Sequence, residues 1–274
     1  MMKEVTEWKN FEKNNEIQKD EVHIWKIKIP YDMFKYLENK NISNYLLSND
    51  FFNGNFKKVL TLDEINKSLK YFKISDKIRS LSTRFVLKKL ISLYLKLPPH
   101  NIHFKYNKYF KPFLSHEINN ISLNFNVSHA GEYIVLAFSC EDLVGIDIEK
   151  YDNSLDKNSL GSYIFSDCEF TSWNSLSENE KNSSFYHVWS CKEAILKGIG
   201  IGLSYLPNNI TVGINPNENP KIISLKDCKY ENHPDSWSIR RFYIQNDYSS
   251  IFAIRKKNFK SLFYEWDWNN VSIC

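Results

Sequence analysis

The sequence predicts an α+β protein in two lobes. Two helical stretches with clear apolar periodicity lie far apart, at 62–97 and 183–197, and each is accompanied by several strand-like runs. These runs follow one another without a regular βαβ rhythm, which favours segregated helices and antiparallel strands over a doubly wound parallel sheet. A chain of 274 residues that is 42% hydrophobic and 15% aromatic has ample material for a sizeable core.

Residues 1–21 are polar and read as a loose preamble. The first convincing strand is Val22–Pro30, where Ile24 to Lys28 alternates before a terminating proline. From Leu62 the pattern turns helical, with Thr61 or Asp63 as the expected cap, and it stops at Pro98-Pro99. Within that region Ile78, Leu81, Phe85, Leu87, Leu90, Ile91 and Leu95 fall on one stripe, which leaves Lys77, Arg84, Lys88 and Lys89 towards solvent. Strand-like segments follow at 101–106, 122–127 and 133–139, then Val144–Lys150, and together they suggest an antiparallel sheet. After Asp152 comes a polar connection, then helices at 166–176 and 183–197, the second ended by Gly198, Gly200 and Gly202. Runs at 237–244 and 250–255 close the second half. The expected divisions are a preamble at 1–21, lobes at 22–142 and 143–257, and an aromatic tail at 258–274 with no assigned role.

A formal net charge of +4 demands no nucleic-acid partner. Five scattered cysteines without a CxxC pair argue against a zinc site or a disulfide framework and point to a reducing compartment. The first residues lack the apolar region of a signal peptide, and runs such as YIVLAF are too short to span a bilayer. The expectation is a cytoplasmic protein without a membrane partner.

In Val144-Gly145-Ile146-Asp147-Ile148-Glu149-Lys150, alternation puts Ile146 and Ile148 on one face and Asp147 and Glu149 on the other, about 7 Å apart along the backbone. Two converging carboxylates suit Mg²⁺, although such a segment alone reads first as a solvated sheet face. On the later helix Trp189, Glu193 and Lys197 stand at i, i+4 and i+8 and share a stripe, with an indole beside the acid where a plain surface pair has no use for one. Ser128 and His129 end a strand, and Lys111-Pro112 occupies a turn; both are candidate phosphate contacts. The glycines after Lys197 lack GxGxxG spacing and follow a helix C-terminus, where the dipole repels anions, so they read as helix termination.

Together, NVSHAGEYIVLAFS, VGIDIEK and FYHVWSCKEAILKGIGIGL resemble the Sfp-type 4′-phosphopantetheinyl transferases. The G-x-D-x-E strand is matched by Gly145, Asp147 and Glu149. The W-x-x-K-E-A-x-x-K helix is matched by Trp189, Lys192, Glu193, Ala194 and Lys197, and Lys111-Pro112 and Ser128-His129 fit two upstream elements. The resemblance covers about residues 22–256. It implies two pseudo-twofold-related lobes, each a long helix packed on a mainly antiparallel sheet, with coenzyme A in the cleft between them. It further implies a monomer that moves the phosphopantetheine arm of coenzyme A to a serine of an apo acyl, peptidyl or polyketide carrier and releases 3′,5′-ADP. By this resemblance Asp147, Glu149 and Glu193 hold Mg²⁺, or Mn²⁺ in its place. Glu193 and Lys197 serve as base and acid, and Lys67, Arg79, Ser80, Lys111, Ser128 and His129 contact the coenzyme A nucleotide. Lys192 supports the helix or a phosphate. Phe110 departs from the family, which places glycine before Lys-Pro. Two rival readings remain at this level: a Mg²⁺-dependent phosphohydrolase using the same carboxylates, and a coenzyme A or carrier binder without catalysis.

Overall fold

A computed structural model describes residues 6–11, 16–38, 56–226 and 234–268. In it, β1 (Glu21–Lys28) is followed by α1 (Tyr31–Glu38), α2 (Phe56–Val59), α3 (Leu62–Leu69) and the 22-residue α4 (Ile74–Leu95). Next come β2 (Phe104–Tyr106), β3 (Pro112–Leu114), β4 (Leu123–Ala130), β5 (Tyr133–Cys140) and β6 (Val144–Lys150). Helices α5 (Lys157–Ile164), α6 (Asp167–Asn174) and the 22-residue α7 (Glu178–Ile199) precede β7 (Ile210–Val212), β8 (Ile222–Leu225), β9 (Ser238–Arg241), β10 (Tyr248–Ile254) and β11 (Lys260–Glu265). The class is α+β, as the sequence predicts.

Strand alternation builds the layers. On β5, Ile134, Leu136 and Phe138 enter a core with Ile78, Leu81, Phe85 and Leu90 of α4. The intervening Tyr133, Val135 and Ala137 face a second core with Val144, Ile146 and Ile148 of β6 and Phe252 and Ile254 of β10. On the far side, Ile251 and Ala253 of β10 pack with Val188, Ala194 and Ile195 of α7. The order is therefore helix, sheet, sheet, helix, with one period-2 strand serving two cores at once. Each isoleucine buried in this way contributes on the order of 1.5–3 kcal/mol relative to exposure.

The strand-like segments at 101–106, 122–127, 133–139 and 144–150, expected to form one antiparallel sheet, are divided among three. The first has the order β11-β1-β5-β4 and the second β6-β10-β9, while β2-β3 and β7-β8 form separate ribbons. The strand carrying Asp147 thus belongs to a different sheet from β4 and β5. The tail, to which the sequence assigns no role, supplies a strand: β11 pairs parallel to β1, with Tyr264 opposite Trp25. Part of the N-terminal stretch is tied to it, since the Lys9 amide donates to the Phe263 carbonyl and Lys9 accepts from the Glu265 amide. Residues 1–5, 12–15 and 269–274 of the expected preamble and tail lie outside the described residues, as do Cys228 and Cys274; Cys140, Cys168 and Cys191 are free thiols.

Helix starts follow local chemistry. Thr61 forms a capping box with Glu64, so Thr61 rather than Asp63 caps α3. Capping boxes Ser166/Glu169 and Ser177/Glu180 start α6 and α7, the latter five residues before the expected Ser183. The polar connection after Asp152 contains α5, capped by Asp156. Lys88 and Lys89, expected towards solvent, are buried. Lys88 donates to Glu64 Oε2 at 3.1 Å, and the Arg84 guanidinium lies over the Phe104 ring at 4.5 Å. The helical stripe is wider than seven apolar positions because α3 and β2 approach from a second side and bring a carboxylate and a ring to receive the cations.

A buried polar chain joins β1 to α4. Trp25 Nε1 donates to Tyr94 Oη at 2.8 Å, Tyr94 Oη donates to His23 Nδ1 at 2.9 Å, and His23 Nε2 donates to Glu21 Oε2 at 3.3 Å. Burial, opposed by Glu21, pulls the His23 imidazole down to about 4 from its ordinary 6.5. The unfolded chain therefore binds the proton first: His23 favours the fold fully above pH 6.5, and that contribution is lost as pH falls towards 4. Thermal unfolding across this range is expected to show a decline in Tm that is shallower in His23→Gln; identical slopes would remove His23 from the acid response.

Candidate active site at the junction of the lobes

The site begins with the close approach of β6 to α7. A Cβ at Gly145 would lie 1.9 Å from the Ala194 carbonyl oxygen and 2.4 Å from the Gly198 amide, so only glycine lets strand and helix meet there. With β6 pressed on the helix, the alternate residues Asp147 and Glu149 face α7, while Ile146 and Ile148 face the core between the sheets. The solvated-face reading fails here, because Asp147 is 1% exposed.

Opposite β6 stands the edge strand β4 of the other sheet. Asn126 Oδ1 accepts the Ile146 amide at 3.0 Å, and two residues along the same face Ser128 Oγ donates to Asp147 Oδ1 at 3.1 Å. From α7, Lys197 Nζ donates to Asp147 Oδ1 at 2.6 Å and to Ser128 Oγ at 2.9 Å. Three elements from two lobes converge on one carboxylate oxygen. Burial works against the Lys197 charge, yet Asp147, with Glu193 and Glu149 further off, raises its pKa above the ordinary lysine value.

Trp189 Nε1 donates to Glu149 Oε1 at 3.0 Å, which gives the indole of the Trp189–Glu193–Lys197 stripe its contact. Burial, then the Asp147 charge, push Glu149 up to about 7, against the pull of Trp189 and Lys197. Burial, then Asp147, likewise push Glu193 up to about 7, with Lys197 opposing. Asp147 Oδ2 and Glu193 Oε1 are buried without a hydrogen-bond partner. Such orphaned acceptors are costly, and here they mark a place short of positive charge. Among the described residues, no group of three His, Cys, Asp or Glu side chains is arranged to hold a metal ion, the expected Asp147, Glu149 and Glu193 included, and Lys197 takes Asp147 Oδ1. The two orphaned oxygens, hard donors beside a third carboxylate, still fit a small divalent cation.

His129 lies on the opposite face of β4 from Ser128. Partial desolvation, then the cations of Arg79 and Lys197, lower its pKa. Arg79 pairs with Asp76 and donates to the Gly131 carbonyl at 3.0 Å, so it stands by the turn that follows His129. Lys67 is exposed and paired with Asp63 at 2.9 Å, and Ser80 Oγ meets Ser68 Oγ at 2.8 Å; neither is brought to the carboxylates. Lys111 Nζ donates to the Gly198 carbonyl at 2.9 Å and the Val144 carbonyl at 3.4 Å. Lys192 is fully buried against Glu169 at 2.6 Å and the Ile164 carbonyl at 2.7 Å, inside the second lobe. Sequence reading missed Asn126, whose signal was its i, i−2 spacing from Ser128 on one strand face. It also missed Asn107, which carried no sequence signal because its partner is 93 residues away. Gly200, at φ +85°, ends α7 in the left-handed conformation, as the glycine-rich run predicts.

Comparison with known proteins fits this geometry. Residues 38–141 match the family described as 4′-phosphopantetheinyl transferase, N-terminal, and residues 143–253 match the 4′-phosphopantetheinyl transferase superfamily. The chain is 29% identical over 203 residues to the 4′-phosphopantetheinyl transferase gsp of Aneurinibacillus migulanus, covering 74% of this chain and 75% of that one. It is 26% identical to HetI of a Nostoc species, covering 74% and 78%, and 29% identical to Sfp of Bacillus subtilis, covering 56% and 65%. The chain belongs to the 4′-phosphopantetheinyl transferase superfamily. Within it, the chain is an enzyme, a 4′-phosphopantetheinyl transferase. No helix among the described residues is long and apolar enough to cross a membrane.

Proposed function

We propose that this protein transfers the 4′-phosphopantetheine arm of coenzyme A to a serine of an apo carrier protein. The observation that carries the reading is the Lys197–Asp147–Ser128 contact at the lobe junction, with unpartnered carboxylate oxygens of Asp147 and Glu193 beside it. In the transfer, the serine oxygen bonds to the β-phosphorus, the bond from that phosphorus to the 3′,5′-ADP oxygen breaks, and the serine proton must leave. Glu193, raised to about 7, is poised to accept that proton near neutral pH. Lys197, kept charged by Asp147, offers an ammonium to the departing phosphate. Ser128 orients the Lys197 ammonium, and Trp189 fixes one oxygen of Glu149. Arg79 and His129 are the side chains best disposed to bind the nucleotide phosphates from the first lobe. Asp147, Glu149 and Glu193 would hold Mg²⁺, or Mn²⁺, whose charge would offset that of the pyrophosphate as the nucleophile approaches.

Incubation with an apo carrier, coenzyme A and Mg²⁺, followed by mass measurement of the carrier, is expected to show the added arm. No mass gain on peptidyl, acyl and polyketide carriers, with free phosphate or nucleotide released instead, would replace this reading with the phosphohydrolase one.

A further inference from the structure

The Asn107–Lys111 turn connects β2 to β3 in the first lobe, yet its polar side chains are spent on the second. Asn107 Nδ2 donates to the Gly200 carbonyl at 2.8 Å, and Lys111 Nζ donates to the Gly198 carbonyl at 2.9 Å and to the Val144 carbonyl at the start of β6. Gly198 and Gly200 stand at the end of α7, where carbonyls lack intrahelical partners and the dipole is negative. A cation and an amide delivered there from another lobe do what C-terminal capping groups do within one chain segment.

The turn is built for this reach. Asn107 Oδ1 accepts the amides of Tyr109 and Lys111, each at 2.9 Å, and the Asn107 carbonyl accepts the Phe110 amide at 3.0 Å. Phe110 adopts φ +64°, a left-handed conformation that favours glycine, and so closes the turn despite its ring, which stays exposed. The helix end is shaped to receive it: a Cβ at Gly200 would lie 2.8 Å from Lys111 Cδ and 3.2 Å from Asn107 Nδ2. Burial alone pulls the Lys111 ammonium down to about 8, in keeping with a cation whose partners are carbonyls.

We propose that this turn caps α7 across the lobe junction, and that the Asn107 and Lys111 side chains are positioning groups that hold Lys197 against Asp147. Lys197 is the residue before Gly198, and Val144 lies three residues before Asp147, so the Lys111 ammonium clamps the two elements whose side chains meet at 2.6 Å. The proposal rests on the transferase reading only for its kinetic consequence.

Two measurements test it in the full-length protein. Amide hydrogen exchange over residues 195–203 needs no activity: Lys111→Met and Asn107→Ala are each expected to speed exchange there about tenfold, as fraying of a helix end does, with the rest of α7 little changed. Unaltered exchange in both variants overturns the cap. In the transfer assay, Lys111→Met is expected to lower kcat about tenfold with the affinity for coenzyme A, measured by calorimetry, within about twofold of the parent, and Lys111→Arg is expected to restore most of kcat. A loss of coenzyme A affinity with kcat intact makes Lys111 a nucleotide contact and overturns the positioning role. Absence of transfer by the parent protein removes the transferase reading while leaving the exchange result to judge the cap.

Discussion

Asp147→Ala abolishes transfer: the expected fall in kcat is at least ~10²–10³-fold, the scale seen when a preorganised charge is removed from a reacting centre. Asp147 is the hub of the junction, since Lys197 and Ser128 both bond to its Oδ1 and its charge helps to raise the pKa values of Glu149 and Glu193. Alanine releases Lys197 from its partner and removes one donor of the proposed cation site. The fold is expected to survive, because Ile146 and Ile148 keep β6 in the core between the sheets and the pairing of β6 with β10 is a backbone matter. Circular dichroism checks the fold, and thermal unfolding with and without Mg²⁺ checks the cation: stabilisation by Mg²⁺ in the parent is expected to vanish in the variant. Full activity in Asp147→Ala would falsify the assignment, and an unchanged response to Mg²⁺ would move the cation elsewhere.

Lys192→Met is expected to act on stability instead. Its ammonium and the Glu169 carboxylate are both shut off from solvent, and removing one member of such a pair leaves the other charge without compensation, at a cost of about 3–5 kcal/mol. Glu169 is committed further: its oxygens also accept the Ser166 amide at 2.7 Å and the Val212 amide at 2.6 Å, so the pair ties α6, α7 and β7 together. Urea unfolding of the variant is expected to show a lowered midpoint, while coenzyme A affinity of the remaining folded protein stays that of the parent. Weakened coenzyme A binding at unchanged stability would instead give Lys192 a phosphate. The motif lysine beside the proposed base thus supports the helix that carries Glu193, one residue away in sequence and facing the other side.

Much of this was legible in the chain. The alternation in VGIDIEK placed Asp147 and Glu149 together, the i, i+4, i+8 stripe placed Trp189, Glu193 and Lys197 together, and the glycine run marked the end of α7 two residues early, since Gly198 is still helical and Gly200 is the cap. The capping boxes at Ser166 and Ser177 were legible too, and reading them would have started α7 at its true position. These are local signals: backbone period, side-chain direction and a cap within three residues are set by neighbours in sequence.

What the sequence by itself determined is the α+β class, the faces of its strands and helices, and the family that the motifs define. Only the tertiary structure decided what each charge meets. Lys88, Lys111 and Lys192 carry the same ammonium, yet one meets Glu64, one the end of α7 and one Glu169. The tail reads as aromatic surplus until β11 pairs with β1 at the other end of the chain. The reason is physical: a period-2 or period-3.6 pattern says which face is covered but not by what, and the net worth of a buried charge lies in a partner that chain topology, not local spacing, brings into hydrogen-bond reach.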